Sequence, residues 1–302
     1  MTGPDLPPGA AWVDDDADPR LDDLRRLDEP AVRTAVDAAR GIFVVESRTA
    51  VERLVTSPYR ARTVLVDARH AGRSADLVTA CLARGAEVLV APREVVEATV
   101  GFRFHRGVVA VAERPGPADL GTFLARCAGP GPDDGGGAVP VLLVAEGLTD
   151  VENVGSVFRN AAAFGVRGVL LDPTCADPLY RRAVRVSMGH VLHVPFARAT
   201  TWPGELEEVR RAGFAVAALA PRPVAGGPEA VAAADLGAWG RQWAHQRPGS
   251  VGIALLVGAE GPGLTSAAQA AADAVVSIPM ADGVDSLNVA TAAAVALFAT
   301  TF

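Results

Sequence analysis

The feature that most restricts this chain is the regular return of short apolar runs from Val139 onward. "VPVLLVAE" (139–146), "GVLLD" (168–172), "HVLHVPF" (190–196), "FAVAALA" (214–220), "GIALLVG" (252–258) and "AVVSIPM" (274–280) read as strands. Helical patterns fill most of the intervals, at residues 151–165, 178–187, 203–213 and 264–274. Strand and helix in alternation predict an α/β domain built on a parallel, doubly covered sheet. Such sheets hold their ligands in loops at the carboxyl ends of the strands. Those loops are therefore where chemistry is to be sought.

Upstream lies a second, smaller α/β pattern. "GIFVVES" (41–47), "RTVLVDA" (62–68), "AEVLVAP" (86–92) and "GVVAVAE" (107–113) read as strands, and "SADLVTACLARG" (74–85) as a helix. The expected organisation is an acidic tail with a short charged helix at 1–30 and a small α/β domain at 31–113. A Pro/Gly-rich linker at 114–138, containing a short helix and "GPGPDDGGG", leads to the second domain at 139–302. The Ala/Gly-biased segment at 221–250 reads as loop mixed with a short helix.

Composition narrows the function. The chain has 302 residues, half of them hydrophobic, enough for one or two full cores. No apolar run approaches the roughly 20 residues that span a bilayer. The N-terminus lacks the basic and apolar regions of a signal peptide, so a cytoplasmic location is expected. Cys81, Cys127 and Cys175 are odd in number and far apart, which argues against a disulfide framework and a zinc site. The formal charge of -7 argues against a general nucleic-acid coat, yet all 28 basic residues are arginine, the side chain best suited to forked phosphate contacts. Arg159, Arg167, Arg181, Arg182, Arg185 and Arg198 make the middle of the chain locally basic.

Three loops can carry chemistry. In "LTDVENVGSVFRNAAAFGV", Asp150 or Asn153 can cap a helix that carries Arg159. In "LLVGAEGPGLT", an apolar strand runs into Gly258, Glu260, Gly261 and Gly263, whose backbone groups can face a ligand. This run is neither GxGxxG nor a P-loop. In "MADGVDSLNVATAAAVALF", a polar loop without His, Cys or Lys feeds an apolar helix that Ser286 or Asn288 can cap. Each loop taken singly has an ordinary structural explanation.

Taken together and in this order, the three resemble the SpoU (TrmH-type) branch of the SPOUT RNA methyltransferases. Asn153-x-Gly155-x-x-x-Arg159 looks like the first family motif, Gly258-x-Glu260-Gly261-x-Gly263 the second, and "IPMADGVDSLNVATAAAVALF" with Ser286-Leu287-Asn288 the third. "DPLYRRAVRVSMGHVLHVPF" matches the Arg- and Ser-rich segment between them, and the upstream domain is similar to the L30e-like RNA-binding module found ahead of such domains.

The resemblance implies a deep trefoil knot, a rare exception to unknotted topology. It implies S-adenosyl-L-methionine held by Gly258, Glu260, Gly261, Ile278, Met280, Leu287 and Asn288, and a homodimer formed through the last helix. The implied reaction is methyl transfer to a ribose 2′-hydroxyl of tRNA or rRNA, without a metal. Arg159, Asn153, Ser286 and Asn288 would be the catalytic set, with Asn153 orienting Arg159. Arg60, Arg103, Arg106, Arg182 and Arg185 would contact RNA, with Arg62 a further phosphate contact. Ser47 stands where a glycine often follows the Glu of the small domain, and Arg106 where Gln is usual. Three other readings remain: a knotted RNA- or ribosome-binding protein without catalysis, base methylation by a SPOUT relative, and an unrelated nucleotide-dependent α/β enzyme such as a dehydrogenase. The dehydrogenase would place its Gly-rich turn after the first strand, whereas here it follows the penultimate one.

Overall fold

The computed structural model describes residues 6–29, 36–130, 139–221, 228–247 and 249–301. The chain divides into two compact units, Met1–Gly116 with Leu179–His193, and Pro117–Pro178 with Val194–Phe302.

The first unit is built on five strands, β1 (Ala11–Trp12), β2 (Ile42–Glu46), β3 (Ala61–Asp67), β4 (Glu87–Ala91) and β5 (Val108–Glu113). Their order is β1-β4-β3-β5-β2. β4 runs parallel to β1 and β3, while β5 runs antiparallel to β2 and β3. Helices α1 (Arg48–Thr56), α2 (Ala75–Ala83) and α3 (Arg93–Val100) complete the frame. The segment Leu179–His193 joins this unit through a buried ion pair. The Glu46 carboxylate, 3 % exposed, receives Arg106 Nε at 3.1 Å and Arg181 Nη1 at 3.3 Å. Arg181 also donates to the Leu27 carbonyl at 3.0 Å and lies 4.9 Å from the centroid of the Phe102 ring.

The second unit holds β6 (Val141–Glu146), β7 (Gly168–Leu171), β8 (Phe196–Arg198), β9 (Phe214–Leu219), β10 (Glu229–Ala232), β11 (Gly252–Gly258) and β12 (Ala274–Ser277). The order is β10-β12-β9-β11-β6-β7-β8. Every pairing is parallel, as the alternating sequence pattern predicts. All six residues of β6 are buried, as expected for a central strand covered on both faces. One face is covered by α4 (Leu120–Ala128), whose Phe123, Leu124 and Cys127 enter the same core as Leu142, Val144 and Phe214. Gly168 permits that approach, since a Cβ there would lie 2.7 Å from Cys127 Sγ. The helices α5 (Val151–Ala163), α6 (Leu236–Gln246) and α7 (Val289–Thr301) belong to this unit. α7 lies against α5, and the side-chain amide of Asn160 donates to the Ala290 carbonyl at 2.7 Å.

Four local expectations are corrected. Residues 190–196 do not form a strand: His190–Leu192 is a 3-10 turn, and β8 begins only at Phe196. Met188 and Gly189 both have positive φ, which breaks an extended run, and Val191 and Leu192 are buried within the first unit. The 221–250 segment contributes a strand as well as a helix, because β10 adds to the sheet edge beside β12. The N-terminal stretch is more than a tail, since β1 pairs with β4 and Leu21, Leu24 and Leu27 are in the core. The spacing of Leu21 and Leu24 suits the 3-10 geometry of Pro19–Leu24, which ends at an extended Arg25 before Leu27. The short helix between the Pro/Gly-rich stretches is α4, an integral layer of the second unit, while most of "GPGPDDGGG" lies outside the described residues. Among the described residues no helix is long and apolar enough to cross a membrane.

Candidate active site

Glu46 and its arginines belong to the first unit; the loops singled out in the sequence converge in the second. Asp150 caps α5, its Oδ1 accepting from Glu152 N at 2.7 Å, so the cap falls to Asp150 and not to Asn153. Asn153, on the first turn, is free to project its amide elsewhere. It meets Asn288, whose Nδ2 donates to Asn153 Oδ1 at 2.9 Å. The same Nδ2 donates to Glu260 Oε1 in the glycine-rich loop. Asn288 Oδ1 accepts from Ala290 N at 3.0 Å and Thr291 N at 3.2 Å, capping α7. One amide thereby joins all three loops and starts the last helix. Its orientation follows from those bonds, because the cap needs an acceptor and Asn153 Oδ1 needs a donor.

The glycine-rich loop is shaped by steric necessity. A Cβ on Gly258 would lie 2.5 Å from Gly263 C and Leu264 N, so no other residue fits where the loop folds back on β11. Gly263 has φ +68° and its N–H bonds to the Ala259 carbonyl at 3.0 Å, closing the turn. The far end of the loop is tied down by Glu146, at the carboxyl end of β6 and 4 % exposed. Its Oε2 accepts from Thr265 N at 2.9 Å, and its Oε1 accepts from Thr265 Oγ1 at 2.8 Å and Trp202 Nε1 at 2.6 Å. The sequence reading missed Glu146, Thr265 and Trp202. The available signal was a Glu ending an otherwise wholly apolar strand.

A cavity of about 750 Å³ opens at the carboxyl ends of β9, β11 and β12, within the range of small-molecule sites. Gly258, Glu260, Gly261, Ile278, Met280, Leu287 and Asn288 all line it, and so does Ser286. Leu219, which ends β9, and Ala220 and Pro221, which follow it, add a wall that sequence reasoning did not anticipate. Among the described residues the lining contains Glu260 and Asp285 but no Arg, Lys or His. That set gives a phosphate nothing cationic to bind, and suits an uncharged or cationic ligand with an apolar body. Among the described residues no group of His, Cys, Asp and Glu could hold a metal ion.

Asn153 does not line the cavity and reaches it through Asn288. Arg159 also lies outside the lining, is exposed, and makes no side-chain hydrogen bond or ion pair among the described residues. Six residues along α5 place Arg159 about 120° around the helix from Asn153, and Asn153 is engaged by Asn288. The expected orienting contact between Asn153 and Arg159 is therefore replaced by one between Asn153 and Asn288.

The five arginines expected at RNA all belong to the first unit, Arg182 and Arg185 by way of the Leu179–His193 segment. They differ in state. Arg60 pairs with Glu113 at 3.2 Å and Arg106 with buried Glu46, while Arg103 is exposed without a side-chain partner among the described residues. Arg62, also on Glu113 at 3.3 Å, is engaged as well. Arg182 is exposed and Arg185 is half-buried.

A seven-stranded parallel sheet with a small-molecule cavity at its carboxyl end, closed by a glycine-rich loop and the entry to the last helix, defines the class: an α/β protein with a ligand site built from strand-end loops. Residues 140–298 match the SpoU rRNA methylase family. An uncharacterized tRNA/rRNA methyltransferase of Mycobacterium bovis is 42% identical over 287 residues, 95% of this chain and 90% of that protein. The 23S rRNA (guanosine-2′-O-)-methyltransferase RlmB of Ralstonia nicotianae is 31% identical over 227 residues, 75% of this chain and 81% of its own. The crystal structure of the SpoU methyltransferase AviRb of Streptomyces viridochromogenes, in complex with the cofactor AdoMet, aligns with a TM-score of 0.66 at 25% identity, covering 87% of this chain and 91% of that one. The chain belongs to the SpoU family and is an RNA methyltransferase of that class.

Proposed function

We propose that this protein transfers a methyl group from S-adenosyl-L-methionine to a ribose 2′-hydroxyl of tRNA or rRNA. The observation that carries the reading is the single amide of Asn288, which binds Asn153 and Glu260 while capping α7. It holds the three loops in register around a cavity whose described lining carries no cationic side chain. The cofactor, a sulfonium without phosphates, suits that lining. The naming of RlmB as a guanosine-2′-O-methyltransferase supports the ribose as acceptor.

The cofactor supplies the methyl group and its leaving group, so the chain contributes position and charge. Gly258, Glu260, Gly261, Ile278, Met280, Leu287 and Asn288 hold it, largely through loop backbone. Ser286 and Asn288 complete the catalytic set beside it. Arg159, an exposed guanidinium, binds the phosphate next to the target nucleotide and stabilises the alkoxide that forms as the hydroxyl loses its proton to that phosphate. A permanently charged arginine suits this role better than that of a base. The 2′-hydroxyl also accounts for a choice of RNA over DNA.

The first unit serves as an L30e-like RNA-binding module, with Arg60, Arg103, Arg106, Arg182 and Arg185 as its phosphate contacts, Arg60 and Arg106 exchanging acidic partners for phosphate. The second unit is a SPOUT domain in which the chain end forms the trefoil knot. α7 also supplies a homodimer surface, where Val295 and Phe298 are exposed.

The test is transfer of labelled methyl from S-adenosyl-L-methionine to unmodified tRNA and rRNA transcripts, for the wild type and Arg159→Ala. RNA-dependent incorporation that protects one bond from alkaline cleavage, and falls by about 10²–10³ in the variant, is the expected result. Cofactor binding without transfer to any transcript in either class would favour the non-catalytic RNA-binding reading.

A further inference from the structure

Among the described residues the cavity has two carboxylates in its wall and no cationic side chain. Glu260 is committed, because its Oε1 accepts from Asn288. Asp285 is not: it lines the cavity, is exposed, and makes no side-chain hydrogen bond or ion pair among the described residues. Neighbouring Asp282 is exposed as well but does not line the cavity. Neither cap chemistry nor loop closure explains Asp285, since Asn288 caps α7 and the Val284 N–H bonds to the Ala281 carbonyl without it.

We propose that Asp285 sets the charge preference of the site, so that it binds the sulfonium substrate more tightly than the neutral thioether product. This rests on the proposed cofactor. Loss of the methyl group removes one positive charge from the sulfur and leaves the rest of the molecule unchanged. A carboxylate in the cavity wall attracts the charged form and gains nothing from the neutral one. The interaction is differential, and only a differential interaction shifts the balance between substrate and product. Because Asp285 is exposed, solvent screens it, and an effect of about two- to fivefold in the ratio of dissociation constants is expected. The consequence for turnover is faster exchange of spent cofactor for fresh.

The experiment is calorimetric titration of the full chain with S-adenosyl-L-methionine and with S-adenosylhomocysteine, for wild type, Asp285→Asn, Asp285→Glu and Asp282→Asn. In Asp285→Asn the preference for the sulfonium should fall about two- to fivefold through weaker binding of that ligand alone. Asp285→Glu should retain most of it and Asp282→Asn all of it. Raising the ionic strength should shrink the wild-type preference and leave that of Asp285→Asn nearly unchanged. An unaltered ratio in Asp285→Asn would overturn the proposal. So would equal weakening of both ligands, which would make Asp285 a shaper of the loop. If the wild type binds neither ligand, the cofactor assignment fails and this inference fails with it.

Discussion

The side-chain amide of Asn288 donates to Asn153 Oδ1 at 2.9 Å while its oxygen caps α7, so recognition between loops and helix initiation share one residue. The two duties separate by substitution. Asn288→Asp keeps an acceptor for Ala290 N and Thr291 N, and adds a favourable charge at a helix N-terminus. It also turns the donor toward Asn153 and Glu260 into a lone pair. Repulsion between the new carboxylate and Glu260 opposes the helix-terminus gain, so we expect the Asp variant to melt at or slightly below wild type. With the loops no longer held in register, it should bind cofactor about two- to tenfold more weakly in spite of the added negative charge. Asn288→Ala should lose the cap too, costing about 1 kcal/mol. Thermal melts with parallel calorimetry distinguish the variants.

Glu146→Gln tests the far end of the glycine-rich loop. The variant places an amide NH2 where one carboxylate oxygen accepted from Thr265, leaving a buried donor facing a donor. A loss of about 1–3 kcal/mol is expected in denaturant melts. Cofactor affinity should fall with it, because the loop that lines the cavity is no longer anchored. Trp202, whose indole N–H donates to Glu146, offers a direct readout: its fluorescence should respond to the substitution, with Trp202→Phe as the blank.

Ser47 occupies φ 97° and ψ 149°, a region that essentially only glycine adopts without strain. Its Oγ accepts from Ala50 N at 3.4 Å, a long capping bond. Relief of about 1–3 kcal/mol of strain outweighs the few tenths lost when a Ser cap becomes Gly. Ser47→Gly should therefore stabilise the protein by about 1 kcal/mol in urea titration. A destabilised variant would show that the cap dominates.

Burial pushes the thiols of Cys81 and Cys127 up to about 11, and that of Cys175, held also beside Asp172, up to about 12, from a usual value of 9.0. Since the thiolate is the nucleophile, all three should resist iodoacetamide in the folded protein and react on unfolding. The linkage has one sign. The unfolded chain ionises its thiols above pH 9.0 while the folded one keeps them neutral to about pH 11, so stability falls as pH rises through that window. Melts at pH 8 and pH 10, repeated on a Cys81→Ala variant, check the direction.

Strands β6, β7, β9 and β11 and helix α5 were legible because their signals are local: each is an uninterrupted apolar run or a capped amphipathic repeat. The cavity residues were legible through a resemblance carried by three short motifs at fixed order. Elements whose existence depends on a distant partner were not. Val191 and Leu192 look like strand residues, yet they are buried in the first unit, where a positive-φ pair has already turned the chain. β10 exists only because β12 offers it an edge.

By itself, then, the sequence determined the class of sheet, the loops that line the cavity and a cationic chemistry made entirely of arginine. Tertiary structure decided which polar atom meets which. It chose Asp150 over Asn153 and Asn288 over Ser286 as helix caps, freed Asn153 to bind Asn288, and gave Glu146 the task of anchoring the glycine-rich loop. The physical reason is the range of the forces. Hydrophobic periodicity and backbone sterics act between near neighbours in sequence. A hydrogen bond such as that from Asn288 to Asn153, 135 residues apart, is specified only once the chain has brought the two side chains within 3 Å.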